Sequence, residues 1–380
     1  MRVLITGGAG FIGCNAARHY LDAGCTVEVL DNFSRHNVDK NVQWLASHPA
    51  ASNLEVTRAD IRHDQAVLDS SVEQADHVLH LAAQVAVTTS FSNPREDFET
   101  NALGTFNVLE ALRKSRSRPH LIYASTNKVY GAMEDIRVVE LNGRNAYADA
   151  PEGIGETRLL DFHSPYGCSK GSADQYVRDY SRMYGLKTTI FRQSCIYGTR
   201  QFGLEDQGWI AWFVIAAVTG RPLTIYGDGR QVRDALYVDD LLRAYDLAFD
   251  DTRASTGNIY NVGGGAANQL SVLELIGMLE SLFGTTLQYS FSDWRPGDQP
   301  VFISNIEKIR KELGWKPRVT VHEGIYRISE WAMHNRDLFE ATENQAPQAA
   351  AFKSGAPMPA RLQGSGVVYA GLFAGRGWPE

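Results

Sequence analysis

Short apolar runs alternate with longer stretches of helical period through the first 125 residues. Val3–Thr6, Thr26–Leu30, Leu54–Thr57, His77–His80 and His120–Ala124 predict strands, while Phe11–Ala23 and Glu96–Arg113 predict helices. Strands spaced by helices at this pitch argue for an α/β fold, with a parallel sheet covered on both faces. Ser164–Met183 predicts a further helix and Lys187–Arg192 a further strand. Beyond about Gln193 the rhythm loosens. Predicted helices at Gln207–Val218, Val238–Ala248 and Ser271–Phe283 interleave with predicted strands at Leu223–Tyr226, Asn258–Val262 and Leu287–Ser290. This pattern predicts a smaller mixed lobe without an internal repeat. The last forty residues are rich in Ala, Gly, Pro and Gln, a composition that predicts a flexible tail. The longest apolar run, Trp209 to Val218, stops at Thr219-Gly220-Arg221, far short of the roughly 20 residues a membrane helix needs.

Composition narrows the picture further. The chain has 380 residues, 44% of them apolar and 21% charged, which excludes wholesale disorder. Lys and Arg number 37 against 44 Asp and Glu, and the formal charge of −7 leaves no basic stripe for nucleic acid. The four cysteines (Cys14, Cys25, Cys168, Cys195) form no CxxC pair, and the ten histidines lack metal-ligand spacing. No metal site is expected. Val3-Leu4-Ile5 runs straight into Thr6-Gly7-Gly8, unlike a signal peptide, so a reducing, cytoplasmic setting is expected.

Thr6-Gly7-Gly8-Ala9-Gly10-Phe11-Ile12-Gly13 links the first predicted strand to the first helix. Gly7 allows a tight turn, Gly10 lets backbone approach a pyrophosphate, and Gly13 lets helix and strand pack closely. The free N–H groups of the helix start would face the phosphates. The next strand ends in Asp31, 18 residues after Gly13, near the spacing of a ribose-binding acid. A carboxylate there accepts from both ribose hydroxyls and repels a 2′-phosphate, which favours NAD over NADP. Arg35 nearby could partly reverse that preference or be a solvated loop charge.

Tyr166 and Lys170 stand four apart and share one helix face. A tyrosine near pKa 10 is a poor base, but an adjacent ammonium and a nicotinamide ring both favour phenolate. Such a phenolate can take a proton from a sugar hydroxyl while hydride leaves the same carbon. Ser125 and Thr126 leave the fifth predicted strand, where a hydroxyl can hydrogen-bond the reacting alcohol. Thr126 is the choice, with Ser125 orienting it. Viewed alone, the segment reads equally well as a capping Ser/Thr cluster.

Together the TGGAGFIG turn, Asp31, Ser125-Thr126 and Tyr166-Gly167-Cys168-Ser169-Lys170 resemble the extended short-chain dehydrogenase/reductase family of nucleotide-sugar epimerases and dehydratases. The resemblance covers about residues 1–335. It implies a Rossmann-type doubly wound domain for NAD over 1–192 and a mixed α/β substrate lobe mainly over 193–337, leaving 338–380 as the tail. It implies Thr126, Tyr166 and Lys170 as the catalytic triad. It places Gly7, Gly10, Phe11, Ile12, Gly13, Asp31 and Asn32 around the cofactor with Tyr166 and Lys170. Asp60-Ile61 resembles the adenine-contacting pair, Ala82-Ala83 the loop beside the pyrophosphate, and Asn101 a structural or cofactor-side position.

Three departures from the family pattern narrow the activity. Dehydratases place Asp or Glu directly after the catalytic Thr, whereas Asn127-Lys128 stand here. Tyr130 and Tyr166 stand 36 apart, more than in typical 4-epimerases, so 132–163 is expected to be an inserted loop over the site. Cys195 replaces the family's usual Asn after the sixth strand. This set resembles the branch of the family that epimerises C2 of a CDP-linked sugar, implying transient oxidation to a 2-keto sugar and hydride return to the opposite face. Arg233 and Arg295 resemble the arginines that bind substrate phosphate, and Asp298 lies near the nucleotide ribose. Ser125, Asn127, Cys195 and Gln207 are further substrate-side candidates. A UDP-sugar 4-epimerase and a catalytically silent NAD-binding regulator remain open. The resemblance also implies a homodimer or homotetramer built on the helices placed at Glu96–Arg113 and Ser164–Met183.

Overall fold

The computed structural model describes residues 1–340 apart from Pro296. From residue 341 onward, the tail expected from composition lies outside the described residues. Its expected start at 338 is corrected: Asp337–Glu340 is a helical turn, and the buried Phe339 ring meets Phe202 and Trp331. Apolar area under that ring holds the turn to the lobe.

Seven parallel strands form the central sheet. From edge to edge they run Ile259–Val262, Thr188–Gln193, His120–Thr126, His77–His80, Arg2–Thr6, Thr26–Asp31 and Leu54–Arg58. Central strands such as Val3-Leu4-Ile5 are wholly buried, as expected when helices cover both faces. Strand order reverses between Arg2–Thr6 and His77–His80. That switch opens a crevice at the carboxyl ends of the strands, where ligands bind in such sheets.

The division expected at residue 192 is crossed by the chain. Ile259–Val262 supplies the seventh strand, and Leu241, Leu242 and Tyr245 of the Val238–Asp250 helix share one apolar core with Val3 and Ile5. Without Ile259–Val262, Thr188–Gln193 would be the edge strand, with amides on one flank needing partners; the returning segment supplies them. The second layer centres on Val232–Tyr237, antiparallel to Gln269–Ser271 and parallel to Val301–Phe302 and Cys195–Tyr197. The Trp209–Thr219 helix is apolar all round because it is the spine of this lobe's core. The strand expected at Leu287–Ser290 occurs at Tyr289–Ser292, beside Leu223–Tyr226. Among the described residues no helix is long and apolar enough to cross a membrane.

Two other expectations change. The helix expected over Glu96–Arg113 is interrupted: Pro94–Phe98 gives way to a π-helical turn, Glu99–Leu103, before Gly104–Lys114. The wider turn lets buried Asn101 bond Gln84 on a neighbouring loop. The 132–163 insertion is not a free loop. It contains a hairpin, Val138–Leu141 with Arg144–Tyr147, joined by Asn142-Gly143 with both residues at positive φ. The Tyr147 hydroxyl donates to Val301 O at 2.8 Å, and Ile154 pairs with Ser304, so the insertion packs on the substrate lobe. None of its residues lines the cofactor cleft described below.

Candidate active site

The glycine turn forms one wall of the crevice. Gly7 has φ of 71°, and a Cβ there would sit 2.6 Å from the Ala82 amide nitrogen. A Cβ on Gly13 would fall 2.4 Å from Gly7 O. Gly10 caps the Phe11–Asp22 helix without a side chain, so the first helical amides stay open toward the cleft. Phe11, Ile12, Ile61, Ala82 and Ala83 line the same cleft. These features fit a dinucleotide: close backbone approach, uncapped amides for pyrophosphate and apolar walls.

Asp31 closes the adenosine end. Its buried carboxylate accepts from the Ala9 amide at 3.1 Å and the Phe33 amide at 2.8 Å. Burial raises its pKa, and those two amides oppose the rise. Asn32 donates to Asp60 at 2.9 Å, and Asp60 is gripped by Arg62, which holds its carboxyl well below the ordinary range. Arg35 reaches across the cleft to the Gln207 side chain. Asn101 stands behind the lining: its amide joins Gln84, Asp97 and Ser169, so it fixes the Ala82–Gln84 loop without reaching the cleft.

The catalytic candidates meet at the end of strand His120–Thr126. Thr126 is buried beside the Tyr166 phenol. Burial pushes Tyr166 up to about 12, opposed by Thr126 and by the charge of Arg35. The Lys170 ammonium donates to Ala124 O at 2.6 Å and lies 4.3 Å from the Tyr123 ring centre. Burial lowers Lys170 to about 7, although Asp174 and Asp97 favour its charge. Both groups are stripped of water, and the ammonium is anchored on the strand, not on the phenol.

Ser125 lines the cleft, and its hydroxyl donates to Asp174 at 2.7 Å. Asn127 is buried, its amide oxygen 3.3 Å from the Thr126 hydroxyl. On the lobe side, Arg233 is ion-paired with Asp298. Arg295 donates to Glu205 O at 2.8 Å and stacks over Tyr226 at 3.8 Å. The Cys195 thiol lies beside Trp209, with Asp234 and Arg233 near, and is pushed up to about 12 by burial.

Sequence reasoning missed the scaffold behind the triad. Asp174 takes two bonds from Arg192, at 2.9 and 3.0 Å, besides that from Ser125. Arg192 also donates to the Tyr130 hydroxyl at 3.1 Å. Asp97, fully buried, receives the Ser169 hydroxyl. Spacing carried one signal: Asp174 follows Lys170 by four residues and so shares its helix face. Arg200, which lines the cleft from the lobe side, had no local signal.

The sequence profile of the GDP-mannose 4,6 dehydratase family matches residues 4–328. The chain is 43% identical over 337 residues to CDP-paratose 2-epimerase of Salmonella typhi, covering 87% of this chain and 99% of that one. A dTDP-glucose 4,6-dehydratase structure from Streptomyces venezuelae, with NAD bound, superposes with a TM-score of 0.77 at 30% identity, covering 90% of this chain and 99% of that one. UDP-glucose 4-epimerase of Thermotoga maritima, with UDP-glucose, gives 0.74 at 30% identity, covering 89% and 100%.

Proposed function

Because the chain belongs to the GDP-mannose 4,6 dehydratase family of extended short-chain dehydrogenases/reductases, and is an NAD-dependent epimerase, we propose that it interconverts CDP-paratose and CDP-tyvelose at C2. The observation that carries this reading is the 43% identity to a CDP-paratose 2-epimerase across 99% of that protein. Asn127 and Lys128, neither a carboxylic acid, support it against dehydration, because neither is suited to protonate a departing hydroxyl.

The chain's own groups have distinct tasks. Tyr166, once ionised, takes the proton of the C2 hydroxyl, and Thr126 donates to that oxygen as charge develops on it. Lys170 stabilises the phenolate electrostatically, and Arg35 adds a second positive field at the phenol. Bound NAD supplies the nicotinamide that accepts hydride from C2 and later returns it. The 2-keto sugar must turn its other face within the lobe, and Tyr166 then returns the proton to the oxygen. No net oxidation results.

The test uses CDP-paratose carrying deuterium at C2, with UDP-glucose and dTDP-glucose as comparison substrates. The expected result is a C2 epimer that keeps its deuterium, with no accumulation of NADH. Washout of the label into water, or turnover confined to a UDP-sugar at C4, would overturn the reading. We further propose that the protein is a homodimer working in the cytoplasm. Exposed Phe98 (56%), Phe106, Tyr176 and Met183 (70%) on Pro94–Lys114 and Ser164–Tyr184 support this reading, Phe106 and Tyr176 meeting edge to face.

A further inference from the structure

Lys128 stands two residues past Thr126, on the short 3₁₀ turn Asn127–Tyr130, and its amide donates to the Thr126 hydroxyl at 3.2 Å. Its ammonium leaves the turn toward the lobe and donates to Gly297 O at 3.3 Å and Gln299 Oε1 at 3.2 Å. Gln299 in turn donates to Gly131 O at 2.5 Å. These bonds stitch Gly297–Gln299 to the catalytic turn. Between them, Asp298 is paired with Arg233.

The charges in this cluster do not balance. Asp298 is ion-paired with Arg233, while the Lys128 ammonium bonds two neutral oxygens and lies in the fields of both. Burial, joined by the field of Arg233 and opposed by Asp298, lowers the Lys128 amine to about 8. A desolvated ammonium beside a guanidinium is stabilised by an arriving anion, and a phosphate offers several strong acceptors. The mechanism so far gives this amine no task.

Sugar chemistry adds a geometric constraint. In a nucleotide sugar the diphosphate is bonded through oxygen to C1. C2 is the next ring carbon, whereas C4 lies across the ring. Presenting C2 to Thr126 and Tyr166 therefore brings the sugar-linked phosphate closer to them than presenting C4 does. Lys128 shares a turn with Thr126, so it is the cation placed for the shorter distance.

We propose that Lys128 is a substrate-binding residue that grips the sugar-linked phosphate and, by holding it close to Thr126, selects C2 over C4 as the carbon oxidised. The selection rests on the 2-epimerase reading; the phosphate contact does not. A phosphate oxygen replaces Gly297 O or Gln299 Oε1 as acceptor, and the remaining bond keeps the loop attached.

The experiment compares wild type with Lys128→Met, Lys128→Gln and Lys128→Arg, all as NAD-loaded protein with melting midpoints recorded. Calorimetry with CMP and CDP, and in parallel UMP and UDP, reads the contact to the second phosphate independently of turnover. Losing one charge-assisted hydrogen bond is expected to weaken CDP about ten-fold or more in the Met and Gln variants. CMP affinity should change less than about two-fold, and the Arg variant should keep most of the CDP preference. With CDP-paratose, the uncharged variants should show a KM raised about ten-fold and a smaller ratio of C2 to C4 epimer. An uncharged variant that keeps the wild-type preference for diphosphate over monophosphate overturns the assignment, as does a wild type without that preference. If diphosphate binding depends on Lys128 but wild type yields no C2 epimer, the 2-epimerase reading and the C2 selection fail together while the phosphate contact stands.

Discussion

Tyr166 illustrates how little a catalytic residue type says about its readiness. Its phenol is raised to about 12 by burial, which disfavours the phenolate that the chemistry needs. Burial lowers Lys170 to about 7 as well, although Asp174 and Asp97 favour its charge. Tyr166→Phe is expected to lower kcat by roughly 10²–10⁴ while NAD content, read by absorbance after denaturation, stays at the wild-type level. Lys170→Met removes a positive charge beside the phenolate. The alkaline-rising limb of its kcat/KM profile should move upward by about one pH unit or more. A profile that stayed in place would show that Lys170 does not act on the phenol.

At the scale of elements, one buried ion pair ties three of them together. Asp174 on the Ser164–Tyr184 helix holds Arg192 on one strand and Ser125 on the next. Asp174→Asn leaves a buried guanidinium without its counter-charge and is expected to cost about 3–5 kcal/mol, measured by urea unfolding. The double change Asp174→Leu with Arg192→Met should recover much of that loss. Two histidines set the acid behaviour of the same sheet. His80, between Thr6 at 2.7 Å and Thr105 at 2.9 Å, and His120, beside Thr189 at 2.8 Å, are each lowered to about 3 by burial. The unfolded chain binds protons at these positions near pH 6.5, so between about 6.5 and 3 it holds more protons than the folded one. Stability is complete above about 6.5 and falls as pH drops toward 3, by up to about 1.4 kcal/mol per unit for each histidine. Unfolding curves at several pH values should show a flatter slope for the His80→Asn, His120→Asn double variant.

The whole molecule adds an association prediction and shows how far the chain could be read beforehand. Phe106→Glu with Tyr176→Glu puts charge on the exposed aromatic face. Light scattering should then show a mass halved relative to wild type, and equal masses would remove the dimer proposal. The strands of the first layer were legible because fully buried parallel strands leave uninterrupted apolar runs, and the Gly7–Gly13 turn was legible because its positive φ and close contacts admit only glycine. The hairpin in the insertion carries a signal as well, in Asn142-Gly143, a pair suited to positive φ at both positions of a two-residue turn. Other features were beyond local reading. Ile259–Val262 joins the sheet because a strand edge far back in the chain needs partners. The π turn at Glu99–Leu103 exists to serve Gln84, a residue in another loop. The residue types, their helix faces and the dinucleotide turn were thus determined by the sequence itself, since they follow from contacts within a few residues. The protonation tendencies of Tyr166 and Lys170, the pairing of Asp174 with Arg192 and the placement of Lys128 beside Asp298 were decided only in three dimensions, because burial and charge fields come from segments that meet through folding.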